Sequence, residues 1–201
     1  MRKLIKSTKY FHEKLFSNDN VIVDNEIAND ISSDWDYEKG VPVVVGILHK
    51  DKIVIFIKEN EDDILFNKEV VFTLQQLAKK NKIYGFNYKF EQGNFKGQFG
   101  FDLDMAEIKP FRAKGWNKDR FFDELLAKEV IPDCGITDIF DGDASLCPVN
   151  WIKYQQTGQF EYMLNIVKHN MNCLLKESVI LNHKDYFLEN YKINEKGWLV
   201  E

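Results

Sequence analysis

The sequence predicts a mixed α/β domain built on one central sheet. Three observations carry that prediction. An apolar run, Val21-Ile22-Val23, leads straight into Asp24-Asn25-Glu26, which reads as a buried strand ending in two carboxylates. Residues 41–48 and 53–57 are two further apolar runs joined by the short polar link Lys50-Asp51-Lys52, the pattern of a β-hairpin. Beyond them the apolar period changes from strand-like to helical, returns to a strand at Ile83-Tyr84-Gly85-Phe86, and turns helical again after Pro110.

At 201 residues the chain has the length of one well-buried domain. A net charge of −5 argues against a protein that coats nucleic acid by bulk charge, though not against a local basic groove. Cys134, Cys147 and Cys173 are odd in number and lack Cys-x-x-Cys spacing. Neither a disulfide framework nor a zinc site is expected from them, and a reducing, intracellular setting (cytoplasmic or nuclear) fits best. The longest apolar run, 41–48, contains a proline and is too short to span a bilayer, so no membrane association is expected. No long apolar segment follows the basic N-terminus, so no signal peptide is expected.

Residues 1–20 read as a basic extension in which Ser7 or Thr8 caps a short helix that turns Tyr10, Phe11 and Leu15 inward. Residues 21–201 then form a single domain. Its first strand is 21–24, followed by a polar loop over 29–40 that carries Trp35 and Tyr37. These aromatics either cover an edge of the core or stack on bases. The run 41–48 is apolar at successive positions, so it reads as a strand buried on both faces. Residues 59–63 form a solvated acidic loop. Val70, Val71, Leu74, Leu77 and Ala78 have helical spacing, with Glu69 and Lys79-Lys80 at the ends that the helix dipole prefers. After the strand at 83–86, Gly93, Gly97 and Gly100 read as loop glycines, and residues 99–103 as a short fifth strand. Asn117 caps a helix over 118–130 that Pro132 ends. A last long helix covers 160–181.

Asp24 and Glu26 carry the chemistry. Residues two apart in a strand face the same way, so both carboxylates aim at one spot. Like charges held that close repel, and burying them is costly without a cation. They mark either an ordinary solvated strand exit or a site for a hard divalent cation such as Mg²⁺. A second anomaly lies on the last helix. Asn170 interrupts the apolar stripe of Met163, Ile166, Val167, Cys173 and Leu174. It is either a core asparagine satisfied by backbone or part of the same site. Lys168, His169, Asn172 and Lys176 fall on another face and are expected to be solvated.

Taken together, these pieces resemble the DEDD superfamily of 3′–5′ exonucleases, which have a ribonuclease H-like fold. Asp24-x-Glu26 resembles the family's first motif, at the end of its first strand. Asn87-Tyr88-Lys89-Phe90-Glu91 resembles the second, with Glu in place of Asp. The stretch 158–175 resembles the helix of the third, with Asn170 at the carboxylate position. The likeness covers roughly residues 20–180, in architecture rather than identity. It implies a central mixed sheet that begins with an antiparallel hairpin arrangement and is flanked by helices. It also implies two-metal phosphodiester hydrolysis at a single-stranded 3′ end of DNA or RNA, with Mg²⁺ or Mn²⁺ as cofactor. Asp24, Glu26 and Glu91 would be the metal ligands and Asn170 a weakened fourth catalytic position, with Asn87, Trp35 and Tyr37 along the nucleic acid.

The chain departs from the family in two carboxylates and in the base. Glu91 adds one carbon of reach, ~1.5 Å. Asn170 is neutral and a poorer ligand for a hard cation. The positions of the family's Tyr or His base fall at Ile166 and Asn165, which cannot take a proton. The leading expectation is a metal-dependent exonuclease. A catalytically silent exonuclease-like module that binds nucleic acid or a protein is the second, and a scaffold with no nucleic-acid role the third.

Overall fold

Strand β2 (Asn18–Ile27) lies at the middle of a six-stranded mixed sheet. The computed structural model describes residues 1–8, 13–16, 18–29 and 36–200. With β1 (Arg2–Ser7), β3 (Pro42–Lys50), β4 (Lys52–Ile57), β5 (Ile83–Gly85) and β6 (Met105–Glu107), the order across the sheet is β1-β4-β3-β2-β5-β6. The first four in that order are antiparallel neighbours, whereas β2-β5 and β5-β6 are parallel. β2 is therefore where the hairpin half meets the parallel half. Lys50, with φ of 56°, makes the tight turn between β3 and β4.

Helices cover both faces of the sheet. The helices are α1 (Glu13–Phe16), α2 (Ile64–Ala78), α3 (Tyr88–Phe99), α4 (Lys118–Ala127), α5 (Leu146–Thr157), α6 (Phe160–Asn182) and α7 (Lys184–Asn190). Alternation along β2 divides the interior in two. Val21 and Val23 pack with Val45, Ile47, Phe66, Val70 and Leu74 on the α2 side. Ile22 packs with Leu48, Ile53, Ile55, Ile166 and Leu174 on the α6 side. Period 2 then places Asp24 and Glu26 on the same side as Ile22, facing α6. The two-sided burial expected of residues 41–48 follows from this layering, since Val43, Val44, Val45, Ile47 and Leu48 are all buried.

Several sequence expectations need correction. The start of the chain is a strand: β1 pairs along β4 from Arg2↔Ile57 to Ser7↔Lys52. Its single inward-leaning apolar residue, Leu4, gives little period to read, and its charged residues suit an exposed sheet edge. Tyr10, Phe11 and Trp35 lie outside the described residues, and Leu15 is half-buried on the short α1. Helix α2 begins earlier than its apolar spacing suggests, because Ile64 and Leu65 in its first turn are exposed. Asp63, assigned to the solvated loop, is buried and caps this helix by accepting from Phe66 N at 3.1 Å.

The glycines after Phe90 are not all in a loop. Gly93 and Gly97 lie inside α3, one turn apart, and let the helix pack closely on the 3-10 turn Tyr37–Lys39. A Cβ at Gly93 would come within 2.4 Å of Tyr37 Cβ, and one at Gly97 within 2.0 Å of the Glu38 carbonyl oxygen. Only Gly100, with φ of 60°, ends the helix. Phe99 accordingly belongs to α3, and the short strand comes later, at β6. Asn117 caps α4 as expected by accepting from Arg120 N at 2.9 Å, but the helix ends at Ala127, before Glu129 takes a φ of 55°.

Helix α6 approaches the sheet so closely that β3 must carry a glycine. Gly46 lies opposite Asp24 in register, and a Cβ there would stand 2.1 Å from Asn170 Oδ1 and 2.5 Å from Leu174 Cδ1. Gly46→Ala should therefore destabilise the fold by ~1–3 kcal/mol through overpacking, read as a lower urea midpoint with an unchanged slope.

Candidate functional site

At the junction of β2, α3, α4 and α6 the structure gathers charge inside the protein. Asp24, Glu26, Glu91 and Glu177 are each buried, with Glu177 fully inaccessible. Glu91 comes from the first turn of α3, where Gly85 leaves it room: a Cβ at residue 85 would sit 3.2 Å from Glu91 Oε2. Glu177 lies on α6 two turns beyond Asn170, on nearly the same helix face.

Lys118, the first residue of α4, reaches into this cluster. Its Nζ is 3.3 Å from Asp24 Oδ1 and 2.5 Å from Glu177 Oε1. Burial opposes its charge, but Asp24, Cys173 and Glu177 more than offset that and hold the ammonium well above its ordinary pKa. Asn170 supplies the second compensating group, an uncharged donor. Its amide Nδ2 donates to Asp24 Oδ2 at 2.8 Å, to the Asp24 carbonyl oxygen at 3.2 Å and to Glu26 Oε1 at 3.4 Å. The two readings of Asn170 thus merge. It is a core asparagine bonded to backbone, and it also touches both carboxylates. It does so as a hydrogen-bond donor, which is not the role of a metal ligand.

The other acids respond to confinement by holding protons. Burial, then the Asp24 charge, pushes Glu26 up to about 7. The same two causes, in the same order, push Glu91 up to about 8. Burial likewise raises Glu177 well above the carboxylate range, against the pull of Lys118.

On the far side of Glu26 stand a histidine and two thiols. His169 Nε2 lies 3.9 Å from Glu26 Oε1 and 3.7 Å from Cys173 Sγ, and Cys147 Sγ donates to Glu26 Oε2 at 3.3 Å. Asp138 Oδ1 holds the other ring nitrogen, Nδ1, at 2.8 Å. Two residues expected in solvent are therefore buried. His169 faces Glu26, and Lys176 is within 2.5 Å of Asp119 Oδ1. The segment through Thr137, Asp138 and Phe140 covers that face of α6: Phe140 packs on the His169 ring and Asn172 donates to the Thr137 carbonyl. Lys168 stays exposed.

This cluster opens into a cleft of about 610 Å³ lined by Asp24, Glu26, Glu91, Lys118, His169 and Cys173, together with Tyr37, Asn87 and Phe90. A neighbouring groove of about 500 Å³ shares Tyr37, Asn87 and Phe90 and continues past Lys89, Lys109, Arg112, Lys114, Trp116 and Trp198. Lys109 Nζ donates to Asn87 Oδ1 at 2.9 Å where the two meet. A cleft lined by carboxyl groups and apolar side chains thus adjoins a basic, aromatic groove. Of the residues expected to lie along nucleic acid, Asn87 and Tyr37 line both.

Sequence reasoning brought Asp24, Glu26, Glu91 and Asn170 to notice and missed Lys118, Glu177, His169, Cys147, Cys173 and Asp138 as members of the site. Glu177 left a readable signal, since it is a charge seven residues beyond Asn170. His169 and Cys173 left the spacing of one helical turn, whereas Lys118, Cys147 and Asp138 left none at sequence level.

No protein-family model, curated protein or solved structure matches the chain.

The two divalent cations that the family resemblance implies would need free carboxylate oxygens. Both Asp24 oxygens are already engaged, one by an ammonium and the other by an amide, and Glu177 is paired with the same lysine. These residues do not fit a two-metal centre as they stand.

Two outcomes follow. Lys118→Met strands Asp24 and Glu177 without their cation, and should cost ~3–5 kcal/mol at pH 8 in chemical denaturation, with a smaller loss at pH 5, where the cluster takes up protons. Glu91 has a raised pKa in the folded state, so its contribution is present below about pH 4.5 and is lost as pH rises through about 8. Glu91→Gln should therefore flatten the fall in Tm between pH 5 and 9 and leave the variant more stable than the parent at pH 9.

Proposed function

We propose that the chain is a ribonuclease H-like, exonuclease-like module that binds single-stranded nucleic acid without hydrolysing it. The sheet supports the likeness: a hairpin half joins a parallel half at the strand carrying Asp24 and Glu26, opposite a long helix. The observation that carries the silent reading is Lys118 Nζ seated between Asp24 and Glu177, where a cation would otherwise be needed. Support for the ligand comes from the groove. Arg112, Lys114 and Lys89 are exposed along it and can meet phosphates. Trp198 is exposed and offers a face on which bases stack regardless of sequence.

One observation favours the hydrolytic reading with Mg²⁺ or Mn²⁺ as its cofactor. Asp24, Glu26 and Glu91 line one cleft with Glu177 buried behind them, and Glu91 Oε2 is buried with no hydrogen-bond partner. That reading requires Lys118 to leave Asp24.

Fluorescence anisotropy with a labelled single strand separates these readings. Binding should weaken with salt, and Arg112→Ala and Lys114→Ala should each weaken it and reduce the log–log salt slope by ~1. Trp198→Ala should cost ~1–3 kcal/mol through lost stacking. A 3′-labelled strand should stay intact in Mg²⁺ or Mn²⁺. Its digestion by the parent, abolished in Asp24→Asn, would establish the exonuclease instead. Failure to bind at low salt would leave the fold as a scaffold with no nucleic-acid role.

A further inference from the structure

Glu26, His169, Cys173 and Cys147 meet beside the Asp24–Lys118 pair, from the three elements β2, α5 and α6. All four are buried, and no role in nucleic-acid binding accounts for them. Glu26, His169 and Cys173 each place one ligand atom within 4.8 Å of the other two. Cys147 joins them through Glu26 Oε2 at 3.3 Å. We propose that these four residues form a tetrahedral site for a thiophilic divalent ion of the zinc type, separate in chemistry from the hard-cation site that the carboxylates alone suggested.

Geometry supports this first. A zinc ion with ~2.3 Å bonds to sulfur and ~2.0–2.1 Å bonds to nitrogen and oxygen separates its ligands by roughly 3.3–3.8 Å along the edges of a tetrahedron. The contacts here are 3.7 Å for Cys173 Sγ to His169 Nε2 and 3.9 Å for His169 Nε2 to Glu26 Oε1, with Cys147 Sγ 3.3 Å from the other Glu26 oxygen, Oε2. Glu26, His169 and Cys173 already stand within reach of one ion, and Cys147 completes the cage by turning its Sγ from Glu26 Oε2 toward them.

The histidine is also oriented for the task. Asp138 fixes Nδ1 at 2.8 Å, which turns Nε2 toward Glu26 and Cys173. A carboxylate behind a histidine is the usual support of a metal ligand, because it sets the tautomer and raises basicity. His169 and Cys173 lie four residues apart on α6, so one helical turn presents both.

The chemistry then selects the ion. Two thiols and an imidazole suit zinc and are poor partners for Mg²⁺, which takes oxygen ligands. Binding displaces the thiol protons, which leave to solvent, and the two thiolates and one carboxylate offset the ion's charge. Entry is available because Glu26, His169 and Cys173 line the cleft. Four protein ligands leave no open position, so the site's role is to tie β2, α5 and α6 together. It would also occupy Glu26, consistent with a silent carboxylate cluster, but the inference stands without the nucleic-acid reading.

Metal analysis of the full chain purified without chelator tests it, and should find about one zinc per chain. After metal removal, Co²⁺ should restore a folded protein with thiolate-to-cobalt charge transfer in the near ultraviolet and the intense visible bands of a tetrahedral centre. Excess Mg²⁺ should not displace it. Cys173→Ser and Cys147→Ser should each weaken the charge-transfer band, Asp138→Asn should lower Co²⁺ affinity ~10–100-fold, and Cys134→Ser should change nothing. Circular dichroism checks that each variant is folded. Should the cysteine variants not fold, the parent's titration decides by itself. Folded parent that contains no zinc and gives no thiolate band with Co²⁺ overturns the site, as does displacement of Co²⁺ by Mg²⁺.

Discussion

Buried negative charge is the constraint on which the rest of the structure depends. Asp24 and Glu26 enter the interior because they share a face of β2 with Ile22, and that face is covered by α6. Each ionised carboxylate taken out of water costs several kcal/mol unless something compensates. The protein compensates in three ways. Lys118 places an ammonium beside Asp24 and Glu177, Asn170 donates its amide to Asp24 and Glu26, and Glu26 and Glu91 hold their protons to unusually high pH. Gly46 and Gly85 belong to the same solution, since a Cβ at Gly46 would collide with Asn170 and one at Gly85 would crowd Met105 and Glu91.

That arrangement also shapes how the surface can be used. The carboxylates of the cleft are paired or protonated and its principal cation is internal, so it has little to offer a phosphate. The adjoining groove carries the basic and aromatic side chains, and the two meet at Tyr37, Asn87 and Phe90. A single strand held by the groove would therefore bring one end toward the carboxylates without resting on them. A zinc-type ion at Glu26, Cys147, His169 and Cys173 would remove one more carboxylate from the cleft and fix the helices behind it. No helix among the described residues is long and apolar enough to cross a membrane.

Parts of this were legible because they depend on short-range periods. The hairpin strands, the helix from Asn117 and the long helix α6 follow from apolar spacing and end signals, and the structure keeps them within a few residues except at the end of α4. The convergence of Asp24 and Glu26 follows from the period of a strand alone. Gly93 and Gly97 misled, because glycine in a helix is unfavourable by propensity. Its value here, close approach to the Tyr37–Lys39 turn, belongs to a contact across more than fifty residues of sequence. His169 misled for a related reason. Its helix face looks polar in sequence, with Lys168 and Asn172 beside it, and is buried only because the segment around Phe140 folds over it.

The sequence by itself determined the layered α/β plan, the central strand with its paired carboxylates and the helix that carries Asn170. Each is set by the repeat of a strand or helix, which acts between near neighbours. Tertiary structure alone decided what those carboxylates meet. Lys118 lies 94 residues from Asp24, and Cys147 lies 121 residues from Glu26. No local period links positions so far apart. Whether a buried acid faces an ammonium, an amide or a thiol depends on which helix crosses which strand, and at what height.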